Sequence, residues 1–349
     1  MAEKYLVIAG KLELELKRMR SEGKTKLPSE QDLCKEYSCS RQTVRSALDV
    51  LLKKGLIIKR CGAGSFIADE AFSSRTVFFM TEDCDRYQSP ALISGIKEQL
   101  ALKKYQLTAF STGGSYQTEK QILSRVSEER PAALIIEPCS DLIPDPNTRT
   151  VEEINGTGVP VIYCNSYLGE VHVAPDNAEA GRMLTKHLLD TGRKKIGGIF
   201  RMDESSGRER YQGYIDALLD AGAVFDESGC LLLTRKEEKD IISGNDRKFS
   251  VFVDNDLFGF DAVICQNGMV AHQLVNMLRG RGVSIPEDIA VACFDNSYYS
   301  EIGEDGMISA GYDTESMCRL LAKTAVALAE GRSAKSVVVP VMLNNRADS

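Results

Sequence analysis

The most legible chemistry in the sequence lies around residue 41, where Arg41, Gln42 and Arg45 follow Ser40. A guanidinium can bond the guanine edge bidentately, and a carboxamide can do the same on adenine. The run RQTVRSALDVLLKKG behind Ser40 places Val44, Ala47, Leu48, Leu51 and Leu52 at i, i+3, i+4, i+7 and i+8. That spacing gives one buried helical face and leaves Arg41, Gln42 and Arg45 at the opposite, N-terminal end. A helix start also offers free backbone N–H groups to phosphate. Ser40 and Thr43 can donate to phosphate oxygens there.

The elements needed to present such a helix surround it. Residues 4–20 read as a helix with Leu6, Leu12, Leu16 and Met19 among charges. In KLPSEQDL, Ser29 followed three residues later by Asp32 resembles a capping box, so a short helix is expected to about Tyr37. LIIKR and SFIA flank CGAG, a hairpin with Gly62 and Gly64 at its tip, able to approach the minor groove closely. Helix, helix, turn, helix and hairpin together make a winged helix-turn-helix. Lys26, Ser29, Gln31 and Ser65 complete the candidate DNA contacts, with Ser40, Arg41, Gln42, Thr43, Arg45, Gly62 and Gly64.

Charge supports this. The chain of 349 residues has a net charge of −7, yet residues 1–68 hold 14 Lys and Arg against 8 Asp and Glu, while the remainder holds 29 against 42. A basic head on an acidic body points to local contact with nucleic acid, the body held clear. At this length more than one domain is expected. The divisions expected are a DNA-binding domain at 1–68, a linker at 69–75 and an effector-binding and dimerisation domain at 76–349.

From Thr76 onward, apolar runs alternate with helical patterns. Strands are expected at 76–80, 106–110, 132–136, 159–164, 195–200, 231–233, 262–265 and 289–294. Helices are expected at 90–103, 117–129, 177–190, 207–221, 268–281 and 313–330. The alternation implies parallel sheets covered on both faces, and the length favours two similar lobes. Ligands bind such sheets beyond the carboxyl ends of the strands. Polar residues gather there: Asp83 and Tyr87, Glu137, Asn165 and Tyr167, Arg208 and Arg210, Gln266 and Asn267, Asp295 and Asn296. Planar, multidentate groups with a few aromatics suit a polyhydroxylated ligand.

Other classes find less support. The ten cysteines include no C-x-x-C pair, and the three histidines are not spaced as metal ligands, so no metal or cofactor is expected. No G-x-G-x-x-G, P-loop or G-x-S-x-G motif occurs, and no catalytic residue is assigned. No apolar stretch is long enough to span a membrane, and the N-terminus lacks a signal peptide's apolar core, so a cytoplasmic protein without a membrane partner is expected. A sugar-binding protein of transport or sensing type would account for residues 75–349 but would leave the basic head unexplained.

Two resemblances sharpen the reading. LPSEQDLCKEYSCSRQTVRSALDVLLKKGLIIKRCGAGSFIA resembles the GntR-type winged helix across its length, which implies DNA contact from Ser40, Arg41, Gln42, Thr43, Arg45 and the wing glycines. The segments APDNAEAGRMLTKHLLDTGRKKIGGIF, SSGRERYQGYIDALLDAG and DAVICQNGMVAHQLVNMLRGRGVSIPEDIAVACFDN resemble the LacI/GalR-type effector domain, itself similar to periplasmic sugar-binding proteins. That likeness implies effector contacts from Arg210, Gln266 and Asp295; the strand-end reading adds Tyr87, Glu137, Tyr167 and Arg208 as candidates. Q-N stands at 266–267 where relatives usually carry N-D. The expected architecture is therefore α/β: an N-terminal winged helix-turn-helix (α+β) followed by a two-lobed, periplasmic-binding-protein-like parallel-sheet module. The combination is similar to that of arabinose-responsive repressors. It implies a homodimeric repressor of carbohydrate-utilisation genes that binds operator double-stranded DNA under the control of L-arabinose or a related sugar.

Overall fold

Two serines start the helices of the head. The computed structural model describes residues 2–60, 64–68, 74–85, 88–142, 145–257, 259–295 and 307–344. After α1 (Ala2–Ser21), Ser29 caps α2 (Glu30–Glu36): its hydroxyl accepts from the Asp32 N–H, and the Asp32 carboxylate accepts from the Ser29 N–H. Such reciprocal capping satisfies two donors that a helix start leaves open. Ser40 caps α3 (Arg41–Lys53) by accepting from the Thr43 N–H at 3.2 Å. The strands β1 (Ile57–Arg60) and β2 (Gly64–Ile67) pair antiparallel as the wing. Leu12, Leu16, Leu33, Val44, Leu48, Leu51 and Ile57 form the head's own core.

The body holds two six-stranded sheets. In the first lobe the order is β13-β7-β6-β5-β3-β4, all parallel, with β3 (Thr76–Thr81), β4 (Gln106–Ser111), β5 (Ala133–Ile136), β6 (Val161–Cys164), β7 (His172–Pro175) and β13 (Val337–Val339). In the second the order is β14-β12-β11-β10-β8-β9, with β8 (Ile196–Arg201), β9 (Cys230–Leu233), β10 (Ala262–Cys265), β11 (Ala290–Phe294), β12 (Ile308–Tyr312) and β14 (Val341–Asn344). Only β14 runs antiparallel to its neighbour there. Strands buried on both faces read as continuous apolar runs, as TVFFM and AVIC do. Phe79 joins one core layer of the first lobe and Phe78 the other, because successive side chains leave opposite faces.

Helices cover both sheets: α4 (Ser89–Ala101), α5 (Tyr116–Glu129) and α6 (Thr148–Gly156) in the first lobe; α7 (Asn177–Asp190), α8 (Ser205–Asp220), α9 (Arg235–Ile242), α10 (Arg247–Val251) and α11 (Gly268–Gly280) in the second. The last helix, α12 (Thr314–Ala329), returns to the first lobe and packs on α4. The chain thus passes between the lobes three times: after β7, after β12, and through Pro340 between β13 and β14. Three adjacent strands of chain make a natural hinge.

The expected strands and helices are present within a few residues of their predicted ends. Missing from the sequence reading are β7, β12, β13, β14, α6, α9 and α10. The body packs directly against the head. Glu13 of α1 is fully buried between them, where its carboxylate accepts from Lys54 and from Arg130 of the body, each at 2.8 Å. Lys17 donates to the Gly158 carbonyl. Gly158 has φ +89°, and a Cβ there would overlap the Glu13 carboxylate. A glycine is what lets the two modules close to this distance.

Candidate functional site

At the tip of the head, Arg41, Gln42 and Arg45 are all exposed at the start of α3. Ser40 and Thr43 hydroxyls lie 2.8 Å apart beside them. Arg45 Nε donates to the Glu30 carboxylate at 3.0 Å, which ties the reading helix to the start of α2. Ser29 and Gln31 are exposed on that same α2 start. Lys26 bridges to Phe66 of the wing, its ammonium 5.8 Å from the ring centroid. Gly64 takes φ +101°, and Ser65 accepts from the Leu27 N–H at 2.9 Å. Gly62 lies outside the described residues.

In the body, a cavity of about 300 Å³ opens between the lobes at the carboxyl ends of both sheets. Its floor on the second lobe is a clamp around Arg210. The close crossing of α7 and α8 sets that clamp: a Cβ at Gly181 or Gly213 would overlap backbone of the facing helix. Arg210, buried on α8, donates to Asn177 Oδ1 at 3.0 Å, to the Gln266 carbonyl at 2.9 Å and to Asp295 Oδ1 at 2.8 Å. Its guanidinium stacks over Phe294, 4.7 Å from the ring centroid. Four segments that are remote in sequence are thereby fixed by one planar group, a geometry suited to arginine rather than lysine. Asn165 and Asp295, which follow β6 and β11, hold φ of +54° and +73°. Such backbone positions are uncommon for non-glycine residues and cluster at ligand sites.

The wall on the first lobe is carboxylate-rich. Glu137 accepts from the Thr81 hydroxyl and the Asn165 amide. Burial pushes its carboxyl above the ordinary value, against the lowering effect of those two hydrogen bonds. Burial also raises Glu82, but Lys239, at 2.6 Å, and Arg235 bring it below the ordinary value overall. The Asn165 side-chain oxygen and Arg201 Nε are buried without a hydrogen-bond partner. Both residues line the cavity, with Arg201 Nε also 3.5 Å from Asp203 Oδ1, and a buried polar atom that lacks a hydrogen bond is one that a hydroxylated ligand can satisfy.

Several contacts join the lobes across this cleft. Asp141 accepts from the Ser205 N–H at 2.9 Å and from its hydroxyl, and Arg235 donates to the Cys139 carbonyl at 2.8 Å. The Glu82 bridges to Arg235 and Lys239 do the same.

Of the residues singled out from sequence, Glu137, Arg210, Gln266 and Asp295 line this cavity together, with Asp83, Asn165 and Asn267. Two do not. Arg208 is exposed and donates to the Met202 carbonyl at 2.9 Å, two residues before the clamp but on another side of α8. Tyr167 spends its hydroxyl on the Pro175 carbonyl at 2.7 Å and packs edge-on against His172. Burial pushes that phenol to about 12. Tyr87 and Asn296 lie outside the described residues. The sequence reading missed Asn177, Arg201, Arg235 and Glu238; Arg201 ends β8 and could have been read as a strand-end residue. Among the described residues no group of three His, Cys, Asp or Glu could hold a metal, and no helix is long and apolar enough to cross a membrane.

Comparison with known proteins agrees with this division of labour. Residues 4–67 match the bacterial regulatory proteins of the gntR family, and residues 185–347 match a periplasmic binding protein-like domain. The chain is 30% identical to an arabinose metabolism transcriptional repressor of Halalkalibacterium halodurans, over 80% of this chain and 76% of that one. It is 27% identical to one of Geobacillus stearothermophilus, over 89% and 87%. In three dimensions it resembles the transcriptional regulator CelR in complex with cellobiose, with a TM-score of 0.68 at 21% identity over 91% of this chain and 98% of that one. A periplasmic binding protein/LacI transcriptional regulator from Alkaliphilus metalliredigens complexed with D-xylulofuranose gives 0.66 at 20% identity over 78% and 98%. With its gntR-family head and periplasmic binding protein-like body, the chain belongs to the family of the arabinose metabolism transcriptional repressors.

Proposed function

We propose that this chain is a cytoplasmic repressor of carbohydrate-utilisation genes that binds its operator as a homodimer and releases or regains it according to a sugar held between the lobes. The observation that carries this reading is the inter-lobe cleft: an arginine clamp on one side, a buried carboxylate on the other, and unsatisfied polar atoms between. L-Arabinose or a related pentose is the effector that the relatives' names support. The cavity of about 300 Å³ is at the lower end of ordinary small-ligand sites and matches a monosaccharide. Glu137, Arg210, Gln266 and Asp295 are the proposed sugar contacts. Hydroxyls would donate to the carboxylates and accept from the guanidinium. No catalytic step is assigned to these residues.

DNA is proposed to meet the exposed start of α3. Arg41, Gln42 and Arg45 would reach base edges, Ser29, Gln31, Ser40 and Thr43 would contact phosphate, and Lys26, Gly64 and Ser65 would bring the wing to the minor groove. Residues 1–68, 69–75 and 76–349 are the proposed functional divisions. A ligand can shift the lobe equilibrium only by its differential affinity for the two arrangements. Because Arg130, Gly158 and Gly331 of the first lobe touch α1 directly, a change in lobe angle is transmitted to the head through packed contacts. A thermal-shift screen against pentoses, hexoses and their phosphates tests the effector assignment: a sugar at 100 times its Kd adds about 2.7 kcal/mol. No response to any sugar, with a clear response to another metabolite class, would remove it.

A further inference from the structure

Two half-buried cysteines bracket the turn between α2 and α3. Cys34 stands near the end of α2, and Cys39 immediately precedes Ser40, the cap of α3. The turn closes in a specific way. The Cys39 N–H donates to the Cys34 carbonyl at 3.2 Å, and the Ser38 N–H donates to the Lys35 carbonyl at 3.4 Å. Ser38 takes φ +46°, in the left-handed region. Nested bonds of this kind around a left-handed residue form the helix ending in which the first and last side chains meet. Both cysteines accordingly pack on the head's core. The closure brings their Cα atoms to about 6 Å, within the span of a disulfide.

Burial sets this pair apart from most of the other thiols. Cys139, Cys164, Cys265, Cys293 and Cys318 are buried, and burial pushes each above the ordinary thiol value. Thiols in such surroundings stay protonated and inert. Cys84 and Cys230 are half-buried but belong to different lobes, after β3 and on β9. Cys61 lies outside the described residues.

We propose that Cys34 and Cys39 are a peroxide-sensitive dithiol, whose oxidation to a disulfide weakens operator binding by the head. One sulfur attacks a peroxide oxygen and the O–O bond breaks, giving a sulfenic acid and water. The second sulfur attacks the first and releases another water. Two electrons pass from the sulfurs to the peroxide, so the dithiol and one hydrogen peroxide become a disulfide and two waters. A small-molecule thiol reverses the step by exchange. The new bond holds the sulfurs about 2.05 Å apart, closer than two thiols in contact, and draws Cys39 toward α2. Ser40 is the next residue. Its hydroxyl accepts from the Thr43 N–H at 3.2 Å and lies 2.8 Å from the Thr43 hydroxyl, so the start of α3 moves with it. The effect on DNA rests on the reading of α3 given above; the disulfide does not.

The test treats the reduced full chain with a small excess of hydrogen peroxide, alkylates the remaining thiols and digests with trypsin. Cleavage after Lys26, Lys35 and Arg41 yields LPSEQDLCK and EYSCSR, one cysteine in each. The expected product is these two peptides joined, parting on reduction, and absent from Cys34→Ala and Cys39→Ala. Anisotropy of a labelled duplex, selected from a random pool by the reduced protein, is expected to show at least about a tenfold loss of affinity on oxidation, the worth of one base contact. Dithiothreitol should restore it, and neither variant should show the loss. The peptide map and its reversal use the parent chain alone, so they stand even where a variant folds poorly. Recovery of the two peptides separately alkylated, or joined to other cysteines instead, would overturn the pairing. A joined pair with unchanged affinity would overturn the control of DNA binding. Failure of the α3 reading shows separately, as equal affinity of reduced parent and reduced Arg41→Ala chains.

Discussion

Replacing Arg210 by methionine tests the clamp that organises the sugar cleft. The substitution keeps the aliphatic volume and removes three hydrogen bonds, to Asn177, to the Gln266 carbonyl and to Asp295. It also leaves the Asp295 carboxylate, 8% exposed, without its guanidinium. Breaking a buried pair by removing one partner costs about 3–5 kcal/mol, because the remaining charge stays desolvated. For a module of this size that lowers the melting temperature by on the order of 10 °C. Sugar affinity, measured by titration calorimetry below the melting range, falls by a factor of ten or more, the worth of a hydrogen bond to a charged group. Arg210→Met with Asp295→Asn recovers at least about 1 kcal/mol of stability, since the carboxylate that lost its guanidinium is gone, but not the sugar affinity. A single variant that melts within 1–2 °C of the parent and binds sugar normally would refute the reasoning, as would a double variant less stable than the single one.

Other consequences follow from particular contacts. Glu30→Gln releases Arg45 and removes a negative charge beside the reading helix, so operator affinity rises by up to about 1 kcal/mol at low salt; weaker binding in an anisotropy titration would show that the pair orients Arg45 for reading. Glu137 is raised by burial, so the folded state binds its proton more tightly than the unfolded chain does. Stability from this group therefore falls as pH rises from the ordinary carboxylate value through the folded one. Glu137→Gln should raise the melting temperature of the sugar-free protein above that window, with the two curves converging in acid; a lower melting point at neutral pH would contradict the sign. Gly158→Ala places a Cβ on the Glu13 carboxylate at a positive φ, so the head should separate from the body. Small-angle scattering should then report a larger radius of gyration, and an unchanged radius would mean that the contact is dispensable.

The head was legible because its signals are local. Ser29 with Asp32, Ser40 with Thr43 and the apolar stripe from Val44 to Leu52 each fix an element within a few residues. The double-sided strands were legible as apolar runs for the same reason. What escaped depends on distant partners. HVAP becomes a strand between VIYC and VVV, VVV only by pairing with HVAP more than 160 residues away, and VMLN only beside ISAGY. The helices α9 and α10 are short and highly charged, and their caps, Thr234 and Asp246, precede no long apolar stripe. With α9 unread, Arg235 could not be placed at the cleft. The strand-end rule brought Glu137, Arg210, Gln266 and Asp295 to one cavity, but proximity to Arg210 in sequence misled for Arg208, which a helix turns to another face. The docking of α1 left no local mark. Glu13 sits in a run of alternating Leu and Glu that reads as a solvated face, and its partner Arg130 is 117 residues away.

The central claim is that the exposed start of α3 reads DNA while the cleft in the body controls that reading. The most direct measurement is fluorescence anisotropy of a labelled duplex, selected by the protein from a random pool, titrated with parent and Arg41→Ala chains across a salt series, with and without L-arabinose. The account predicts saturable binding that weakens linearly in log–log with salt, a loss of about 1–3 kcal/mol in Arg41→Ala, and a shift in parent affinity on adding sugar. Equal affinity of the two chains for the selected duplex would contradict it.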